Sequence, residues 1–236
     1  MTQSDRYSGT DNLEIMSEAV NYNRFLVETI AAHARSTDQL LDFGAGVGTF
    51  ARELDLRGFH VKCVELDPEQ AQTIREQGLA ACEHLDEIPD ESVDLVYSLN
   101  VLEHIEDDVG VLRQLFAKLR PGGHALIYVP AFECLMSSMD EKVGHLRRYT
   151  RQELRQKFSS AGFIAKSDGY VDFLGFPATL LYKLIGRSDG GINMRALVFY
   201  DRFLFPLSRL LDLAFGTIAG KNVLAVGKKP DPRAAA

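Results

Sequence analysis

Short apolar runs alternate with amphipathic segments along most of the chain. Seven runs have the length of β-strands and are 39–43, 60–65, 79–82, 93–99, 125–129, 163–172 and 222–228. Between the first six of them, except between the third and the fourth, apolar positions recur at the three- and four-residue spacing of an amphipathic helix. Strands that alternate with helices predict a mostly parallel sheet with helices on both faces, which is a doubly wound, Rossmann-like α/β fold.

Several of these elements carry their own boundary signals. Asp67 and Pro68 predict a helix start, because Asp caps helix ends and Pro suits the first helical turn. Residues 150–153 have the pattern of a capping box and predict a second start. An N-terminal helix is predicted over 12–35. The loop of about twenty residues after Pro130 is long enough to suggest a functional role.

Residues 176–220 are predicted to form a helical insertion between the sixth and seventh strands. Its second helix, 195–215, is apolar except on one side. The polar side chains fall in an arc of about 120° and are Arg202, Ser208, Arg209 and Asp212. So wide an apolar face is expected to be covered. Three explanations compete: packing on the sheet, a lid or cap over a substrate cavity, or contact with a membrane surface.

Length and composition are those of an ordinary globular protein. The chain of 236 residues suits one domain, 1–236, and 46% hydrophobic with 25% charged residues is a typical balance. The formal net charge of -7 argues against broad nucleic-acid binding, which needs a basic face. No apolar run approaches the roughly 18 residues of a membrane span.

Three cysteines, Cys63, Cys82 and Cys134, stand at irregular spacing. An odd number at such spacing predicts reduced thiols rather than a disulfide framework, and no Cys/His spacing typical of a metal site is present. The polar N-terminus lacks the apolar core of a signal peptide. These features together predict a cytoplasmic protein without a bound metal.

A glycine-rich stretch after the first strand marks the predicted ligand site. Gly44, Gly46 and Gly48 allow a sharp turn and the close approach of a ligand, and open α/β sheets bind ligands at such strand ends. A nicotinamide dinucleotide requires a later glycine, at a position where this chain has Thr49. Asp42, directly before the turn, suits an ammonium group better than a pyrophosphate.

An acid follows the second strand, about twenty residues beyond the glycines. Glu65 is well placed there to accept hydrogen bonds from ribose hydroxyls. Asp67 is its rival for that role, although it is preferred as a helix cap. Together with Asp42, this arrangement describes an adenosine attached to an amino acid rather than to a pyrophosphate.

Five short motifs follow one another along the chain and are Asp42–Gly48, Val64–Pro68, Val93–Val96, Asn100–His104 and Leu119–Gly123. Their order and spacing resemble the class I S-adenosylmethionine-dependent methyltransferases. The resemblance covers residues from about 20 to 172, and the final strand rejoins it. It implies a seven-stranded sheet of order 3-2-1-4-5-7-6 whose last strand is antiparallel, with S-adenosyl-L-methionine as the cofactor.

The resemblance also assigns cofactor contacts. It places Gly44, Ala45 and Gly46 against the methionine portion of the cofactor and Asp42 near its ammonium group. The remaining positions that it implies are Glu65 and Leu66 after the second strand, His84 and Leu85 at the adenine, and Asn100 near the sulfonium end. His84 stands near the place of an acid that members of the family usually have.

The segment 144–150 resembles a subgroup of these enzymes with an H-x-R-R-Y-[ST] pattern. His145 is the predicted catalytic base, since its ordinary pKa lies near neutrality, and Tyr149 is the second catalytic candidate. Arginine binds carboxylates and phosphates bidentately. The substrate-binding candidates in the same region are Arg147, Arg148 and Glu133. Each of these side chains could instead fix the loop by a hydrogen bond or remain solvated.

The leading hypothesis is a methyltransferase for a small or lipid-linked acceptor, which could be anionic. No nucleic-acid partner is expected, and a peripheral membrane contact is compatible with the hypothesis. One alternative is a module that binds the cofactor without catalysis, and another is a nicotinamide oxidoreductase. The sequence patterns leave the acceptor atom and the oligomeric state open.

Overall fold

The computed structural model describes residues 18–185 and 193–235, which form a seven-stranded mixed sheet. Its strands are β1 Gln39–Phe43, β2 His60–Val64, β3 Ala80–Cys82, β4 Val93–Leu99, β5 Leu119–Pro130, β6 Ile164–Val171 and β7 Asn222–Lys228. The strand order is β3-β2-β1-β4-β5-β7-β6. Strand β7 runs antiparallel to β5 and β6, and the other neighbours are parallel. The predicted fold class and strand order are therefore confirmed.

Helices cover both faces of the sheet. In the described residues they are α1 Val20–Ala31, α2 Thr49–Leu56, α3 Pro68–Glu76, α4 Asp108–Lys118, α5 Ser138–Val143, α6 Arg151–Ser160, α7 Gly175–Ile185, α8 Met194–Phe199 and α9 Phe205–Phe215, with a short π-helical segment, Tyr200–Leu204, between the last two. Helices α1, α2 and α3 supply Ile30, Leu54 and Ile74 to one core layer. Helices α4 and α6 supply Leu112 and Phe158 to the other. Because successive strand residues point to opposite faces, the central strands feed both layers.

The N-terminal helix is shorter than the predicted 12–35. It spans Val20–Ala31, while residues 12–17 lie outside the described residues. After Ala31 the chain closes its last turn with three-residue hydrogen bonds, from the N–H of His33 to Ile30 and from that of Ala34 to Ala31. Such tight bonds satisfy the terminal carbonyls and end the helix.

Two further boundaries differ from the sequence prediction. Strand β5 begins at Leu119 rather than at 125, because Leu119 pairs with Val93 and an irregularity beside Val93 accommodates the Pro-Gly-Gly segment. The twenty-residue loop after Pro130 contains the short helix α5. The carboxylate of Asp140 stabilises the start of this helix by accepting hydrogen bonds from the N–H and the hydroxyl of Ser137, both at 2.9 Å.

The insertion between β6 and β7 turns its polar side inward. Ser208 is fully buried, and its hydroxyl donates to the carboxylate of Asp172 at 2.7 Å. Asp212 accepts hydrogen bonds from two consecutive backbone N–H groups at the end of β6, at 3.0 and 2.8 Å. Asp201 accepts from two backbone N–H groups of α1, both at 2.9 Å. These acids fasten the insertion to the sheet and to the N-terminal helix.

The apolar side of α8 and α9 is exposed instead. The exposed fractions of Phe203, Leu207, Leu210 and Leu213 range from 48% to 83%. Packing of this face on the sheet, one of the three explanations considered, is therefore wrong. The chain turns Asp201, Ser208 and Asp212 inward, because these side chains satisfy backbone donors of α1 and of the segment after β6, whereas Arg202 stays exposed. Among the described residues, no helix is long and apolar enough to cross a membrane.

Candidate cofactor and acceptor site

The glycine loop after β1 has the backbone conformation that only glycine adopts easily. The φ angles of Gly44, Gly46 and Gly48 are +78°, +59° and +80°. A Cβ atom on Gly44 would collide with the side chain of Val101. The N–H groups of Gly44 and the next residue donate to the carbonyl of Val64, at 2.9 and 3.2 Å, and hold the loop against the end of β2.

Glu65 links the glycine loop to the start of α3. One carboxylate oxygen accepts from the N–H of Gly46 at 2.7 Å, and the other accepts from the N–H of Asp67 at 2.9 Å. Burial raises the pKa of Glu65, and these backbone hydrogen bonds oppose the shift. Each carboxylate oxygen has more than one acceptor site, so each can also receive a ribose hydroxyl.

Asp67 has a different role in the structure. Its carboxylate accepts from the N–H groups of Glu69 and Gln70, at 2.9 and 3.3 Å, and caps α3. The predicted helix cap is confirmed, and these contacts favour Glu65 over Asp67 as the ribose ligand.

Asp42 is a buried carboxyl group at the carboxyl end of β1. Its Oδ2 atom has no hydrogen-bond partner among the described residues. Burial raises the pKa of Asp42 to about 7; the Tyr97 hydroxyl lowers it, and the charge of Glu65 raises it further. An unpartnered carboxylate oxygen beside a glycine loop fits the ammonium group of an amino-acid ligand, because the cation would stabilise the ionised form.

The other predicted cofactor positions lie along the same carboxyl edge of the sheet. Leu66 follows β2 and is 68% exposed, while His84 is exposed and Leu85 buried directly after β3. Asn100 follows β4 with a φ of +54°, and its N–H donates to the carbonyl of Tyr128 at 2.8 Å. Since β3, β2, β1 and β4 are neighbours, their ends form one continuous edge.

The loop before α6 is anchored by a buried ion pair. The Arg148 side chain, 1% exposed, donates from Nε and Nη2 to the two oxygens of Asp140, at 2.9 and 3.0 Å. Its Nη1 atom donates to the carbonyl of Ala131 at 3.2 Å. Although burial opposes the shift, hydrogen bonds from His145 and Arg148 hold the pKa of Asp140 well below its usual range. All three guanidinium nitrogens therefore donate hydrogen bonds within the protein, so the side chain is not available to bind a substrate.

Three more predicted acceptor-site residues also bond within the loop or to its supports. Arg147 donates to Asp108 at 3.2 Å, and the hydroxyl of Tyr149 lies 2.8 Å from the same carboxylate. Glu133 accepts from the backbone N–H of Arg148 at 3.1 Å. These contacts brace the loop against α4 and favour a positioning role for all three side chains.

The side chain of His145 is 11% exposed and lies between two buried acids. Its Nδ1 atom lies 2.7 Å from Asp140, and its Nε2 atom lies 3.7 Å from the carboxylate of Glu103. Its ring also contacts that of His104, with the centroids 4.7 Å apart. Burial and the charge of His145 lower the pKa of His104 to about 4. Of the predicted acceptor-site residues, His145 therefore has the position most suited to act on a substrate.

Glu103 is a residue whose role the sequence interpretation missed. It is fully buried, and both carboxylate oxygens lack a hydrogen-bond partner among the described residues. Burial raises its pKa to about 8, although the nearby N–H of its own backbone and the charge of Arg148 oppose the shift. The only sequence signal was an acid followed by a histidine after a strand, and such a signal does not show burial.

A second polar group lies where β6 and β7 meet the insertion. Asp172, with a φ of +65°, accepts from the hydroxyls of Tyr200 and Ser208, at 2.5 and 2.7 Å. Burial lowers the pKa of Lys221, while the charge of Asp172 opposes the shift. Residue 221 directly precedes β7, whose first residue pairs with Pro130 at the carboxyl end of β5. This lysine therefore lies beside the carboxyl end of β5, where the loop that contains His145 begins.

The seven-stranded sheet, the glycine loop and the two acids define a nucleoside-binding α/β domain of the methyltransferase class. Residues 17–165 match the family model described as a methyltransferase domain. The match spans more than half of the chain, so the chain belongs to this methyltransferase family. Its cofactor is S-adenosyl-L-methionine, and the buried Asp42 and the Glu65 carboxylate fit the ammonium and ribose groups of that molecule.

Individual similar proteins agree with the family. A protein of Claviceps purpurea (strain 20.1) named methyltransferase is 30% identical over 184 residues, which are 73% of this chain and 51% of that protein. The chain thus spans about half the length of this relative. A chain from the solved complex that contains the Haloferax volcanii Trm112 methyltransferase activator is similar with a TM-score of 0.67 at 19% identity, over 98% of this chain and 99% of that one.

A second solved structure has the same fold. It is the Burkholderia thailandensis 1,6-didemethyltoxoflavin-N1-methyltransferase with bound 1,6-didemethyltoxoflavin and S-adenosylhomocysteine. The TM-score is 0.61 at 17% identity, and the match covers 95% of this chain and 84% of that one. At such identities the likeness shows the fold alone.

Binding of S-adenosylmethionine is expected to weaken as the pH falls below 7. The carboxyl of Asp42 has a pKa of about 7 in the free protein, and an adjacent ammonium group favours its ionised form. Below pH 7, binding must remove a proton from Asp42, so the affinity should fall by about tenfold between pH 7.0 and 5.5. Calorimetric titration would measure this change. The Asp42→Asn variant should bind weakly at both values; an equal pH dependence in both proteins would contradict the assignment.

Proposed function

We propose that this chain transfers a methyl group from S-adenosylmethionine to a small or lipid-linked, anionic acceptor. One observation carries the proposal: two groups of residues lie at the same edge of the sheet. The first is a cofactor site formed by Asp42, the glycine loop and Glu65, and the second is a cluster of buried polar side chains around His145. Membership of the family supports the identity of the cofactor, and the polar cluster supports a reaction at the acceptor.

The cofactor residues act by binding and orientation. When bound, the sulfonium supplies an electrophilic methyl group. Asp42 would accept from the ammonium group and Glu65 from the ribose hydroxyls, while the glycine backbone leaves room for the methionine portion. The remaining task of the chain is to hold an acceptor atom in line with the methyl group and to exclude water.

On the acceptor side, we assign the direct contact to His145. Tyr149, Arg147, Arg148 and Glu133 have their polar groups engaged in the loop itself, so we assign them to positioning. His145 lies beside the unpartnered carboxylate of Glu103 and is oriented by Asp140. An acceptor group can reach an imidazole nitrogen there without displacing a structural bond.

Lys221 supports an anionic acceptor. It is a half-buried cation beside the carboxyl end of β5, close enough to Asp172 and Arg148 for their charges to influence its pKa. Burial of an ammonium group is unfavourable unless an anion compensates for the lost hydration. A carboxylate or phosphate on the acceptor would provide that compensation.

The exposed face of the insertion supports a lipid-linked acceptor. The large apolar side chains of α7, α8 and α9 that are exposed include Leu181, Leu184, Phe199, Phe203, Leu210 and Leu213. In the described part of the insertion, the exposed charged side chains are Lys183, Arg195 and Arg202, whereas Asp201 and Asp212 are turned inward. An apolar face with basic charges suits an anionic membrane surface, even though the whole chain has a net charge of -7.

Transfer of labelled methyl groups would test this function. The protein is incubated with labelled S-adenosylmethionine and a cell extract separated into an aqueous and a lipid fraction, the latter presented as anionic vesicles. We expect label in an anionic product of the lipid fraction, identified by mass analysis. The double variant Leu210→Ser/Leu213→Ser should lose most of this transfer and most vesicle binding, with unchanged cofactor affinity, because both side chains are exposed. Cofactor binding without label in any fraction would instead identify a binding module without catalysis.

A further inference from the structure

Three side chains with metal-binding groups converge after β4. Glu103 and His104 lie on the short turn Leu102–His104, and His145 comes from the loop before α6. One potential ligand atom from each residue lies within 4.8 Å of the other two. The carboxylate of Glu103 is fully buried and has no hydrogen-bond partner among the described residues. A buried anion of this kind is unfavourable unless a proton or a cation compensates for its lost hydration.

His145 is oriented as a metal ligand would be. The carboxylate of Asp140, already paired with Arg148, can only accept at the 2.7 Å contact with Nδ1, so Nδ1 carries the proton. In the neutral ring, Nε2 then presents its lone pair, and this atom lies 3.7 Å from a Glu103 oxygen. The distance is too long for a hydrogen bond. Two ligands about 2.1 Å from one tetrahedral ion are separated by roughly 3.4–3.7 Å.

His104 has a similar arrangement. Its Nδ1 atom lies 3.3 Å from the carbonyl oxygen of Gly144, which can only accept, so the proton of the neutral ring is again on Nδ1. Metal-bound histidines in proteins commonly donate this second N–H to a carboxylate or a backbone carbonyl. Both histidines therefore have the outer partners that fix a ligand's tautomer and ring orientation.

We infer that Glu103, His104 and His145 bind one divalent metal ion that prefers nitrogen ligands, such as Zn²⁺. Two imidazoles and one carboxylate are a typical ligand set for Zn²⁺, whereas Mg²⁺ prefers oxygen ligands. Three protein ligands leave at least one coordination position open, and with the ion bound the contact between His145 and the acceptor is made through the ion rather than by a free imidazole nitrogen. The cation lies among side chains that come from elements far apart in the chain, which explains why sequence spacing predicted no metal.

The ion would determine the acceptor chemistry, and this consequence rests on the proposed function. A hydroxyl of the acceptor that binds the open position has a lowered pKa and releases its proton to water. The oxygen then forms a bond to the methyl carbon as the carbon–sulfur bond breaks, and the electron pair of that bond remains on sulfur. The step needs no oxidant or reductant, and it makes an oxygen nucleophile the predicted acceptor atom.

Metal titration of the purified protein tests the site. After removal of bound metal by a chelator, Zn²⁺ is added in a calorimeter, and Co²⁺ is added while its visible absorption is recorded. We expect one ion per chain, a Co²⁺ spectrum typical of nitrogen ligation, and no comparable binding of Mg²⁺. Glu103→Gln and His145→Ala should each weaken Zn²⁺ binding by about 100-fold, and Asp140→Asn by at least about tenfold. His124→Ala is the matched control, because His124 lies on β5 away from the cluster and should leave binding unchanged.

The affinity of each variant for S-adenosylmethionine serves as the test of folding. Loss of Zn²⁺ binding with retained cofactor affinity supports the site. The inference is overturned if the folded protein binds no Zn²⁺, or if the three cluster variants bind it as the His124→Ala protein does. Undiminished methyl transfer by metal-free protein would remove the activating role while leaving the proposed function intact. Metal binding without any methyl transfer would leave the site and contradict the function.

Discussion

Replacement of Glu65 by alanine is expected to weaken S-adenosylmethionine binding by about 100-fold or more. The carboxylate holds the N–H groups of Gly46 and Asp67 and has acceptor sites left for two ribose hydroxyls. Hydrogen bonds to a charged group contribute about 1.5–3 kcal/mol each, and 1.4 kcal/mol is a factor of ten in affinity. Calorimetric titration of wild-type and variant proteins measures the effect directly.

Asp67→Ala provides the matched control for this experiment. It removes an acid two residues away whose carboxylate caps α3, so it should cost about 1 kcal/mol of stability and change cofactor affinity much less. Unfolding in urea would show that both variants are folded under the conditions of the titration. If Asp67→Ala abolished binding and Glu65→Ala did not, the two assignments would have to be exchanged.

Much of the fold was predictable because its signals are local. Strand β4 occupies Val93–Leu99, as its apolar run predicts, and the cap at Asp67 and the capping box at Thr150 both start helices where the sequence places them. The cofactor-binding residues were predictable for the same reason, since the glycine loop and Glu65 each follow directly on a buried strand. The position of each is set mainly by its own strand and the turn after it.

The orientation of the insertion could not be derived in this way. Helical periodicity identifies the arc that contains Ser208 and Asp212, but it does not say which side of the helix faces the protein. That choice depends on backbone N–H groups near Asp172 and on α1, about 40 and 180 residues away. Unpaired donors in those segments favour the polar side, and the apolar side is left outside.

The arrangement of side chains around His145 was only partly predictable for a related reason. The segment that contains His145 was recognised from its sequence, but the partner of its Nε2 atom, Glu103, lies on another element. Arg148 appeared available to bind an anion, and its engagement with Asp140 depends on the helix α5 that the sequence interpretation treated as loop. Tertiary contacts of this kind change a residue's role without changing its local pattern.

Replacement of Arg148 by methionine is expected to lower the free energy of unfolding by about 3 kcal/mol. The substitution leaves Asp140 buried without its guanidinium partner, and breaking a buried pair in this way costs roughly 3–5 kcal/mol. Hydrogen bonds from Ser137 and His145 still support the carboxylate, which places the expected loss at the lower end. Urea unfolding, followed by circular dichroism, gives the difference between the two proteins.

Arg147→Met is the matched control for Arg148→Met, because the two arginines are adjacent and both bind an acid. The Arg147 side chain is 31% exposed, and its partner Asp108 keeps its bonds to Lys157 and Tyr149, so the expected loss is only about 1 kcal/mol. Adding Asp140→Asn to Arg148→Met should recover part of the lost stability, since the unpaired charge is then removed. Equal losses for the two single variants would contradict the larger stabilisation expected of the buried Arg148–Asp140 pair.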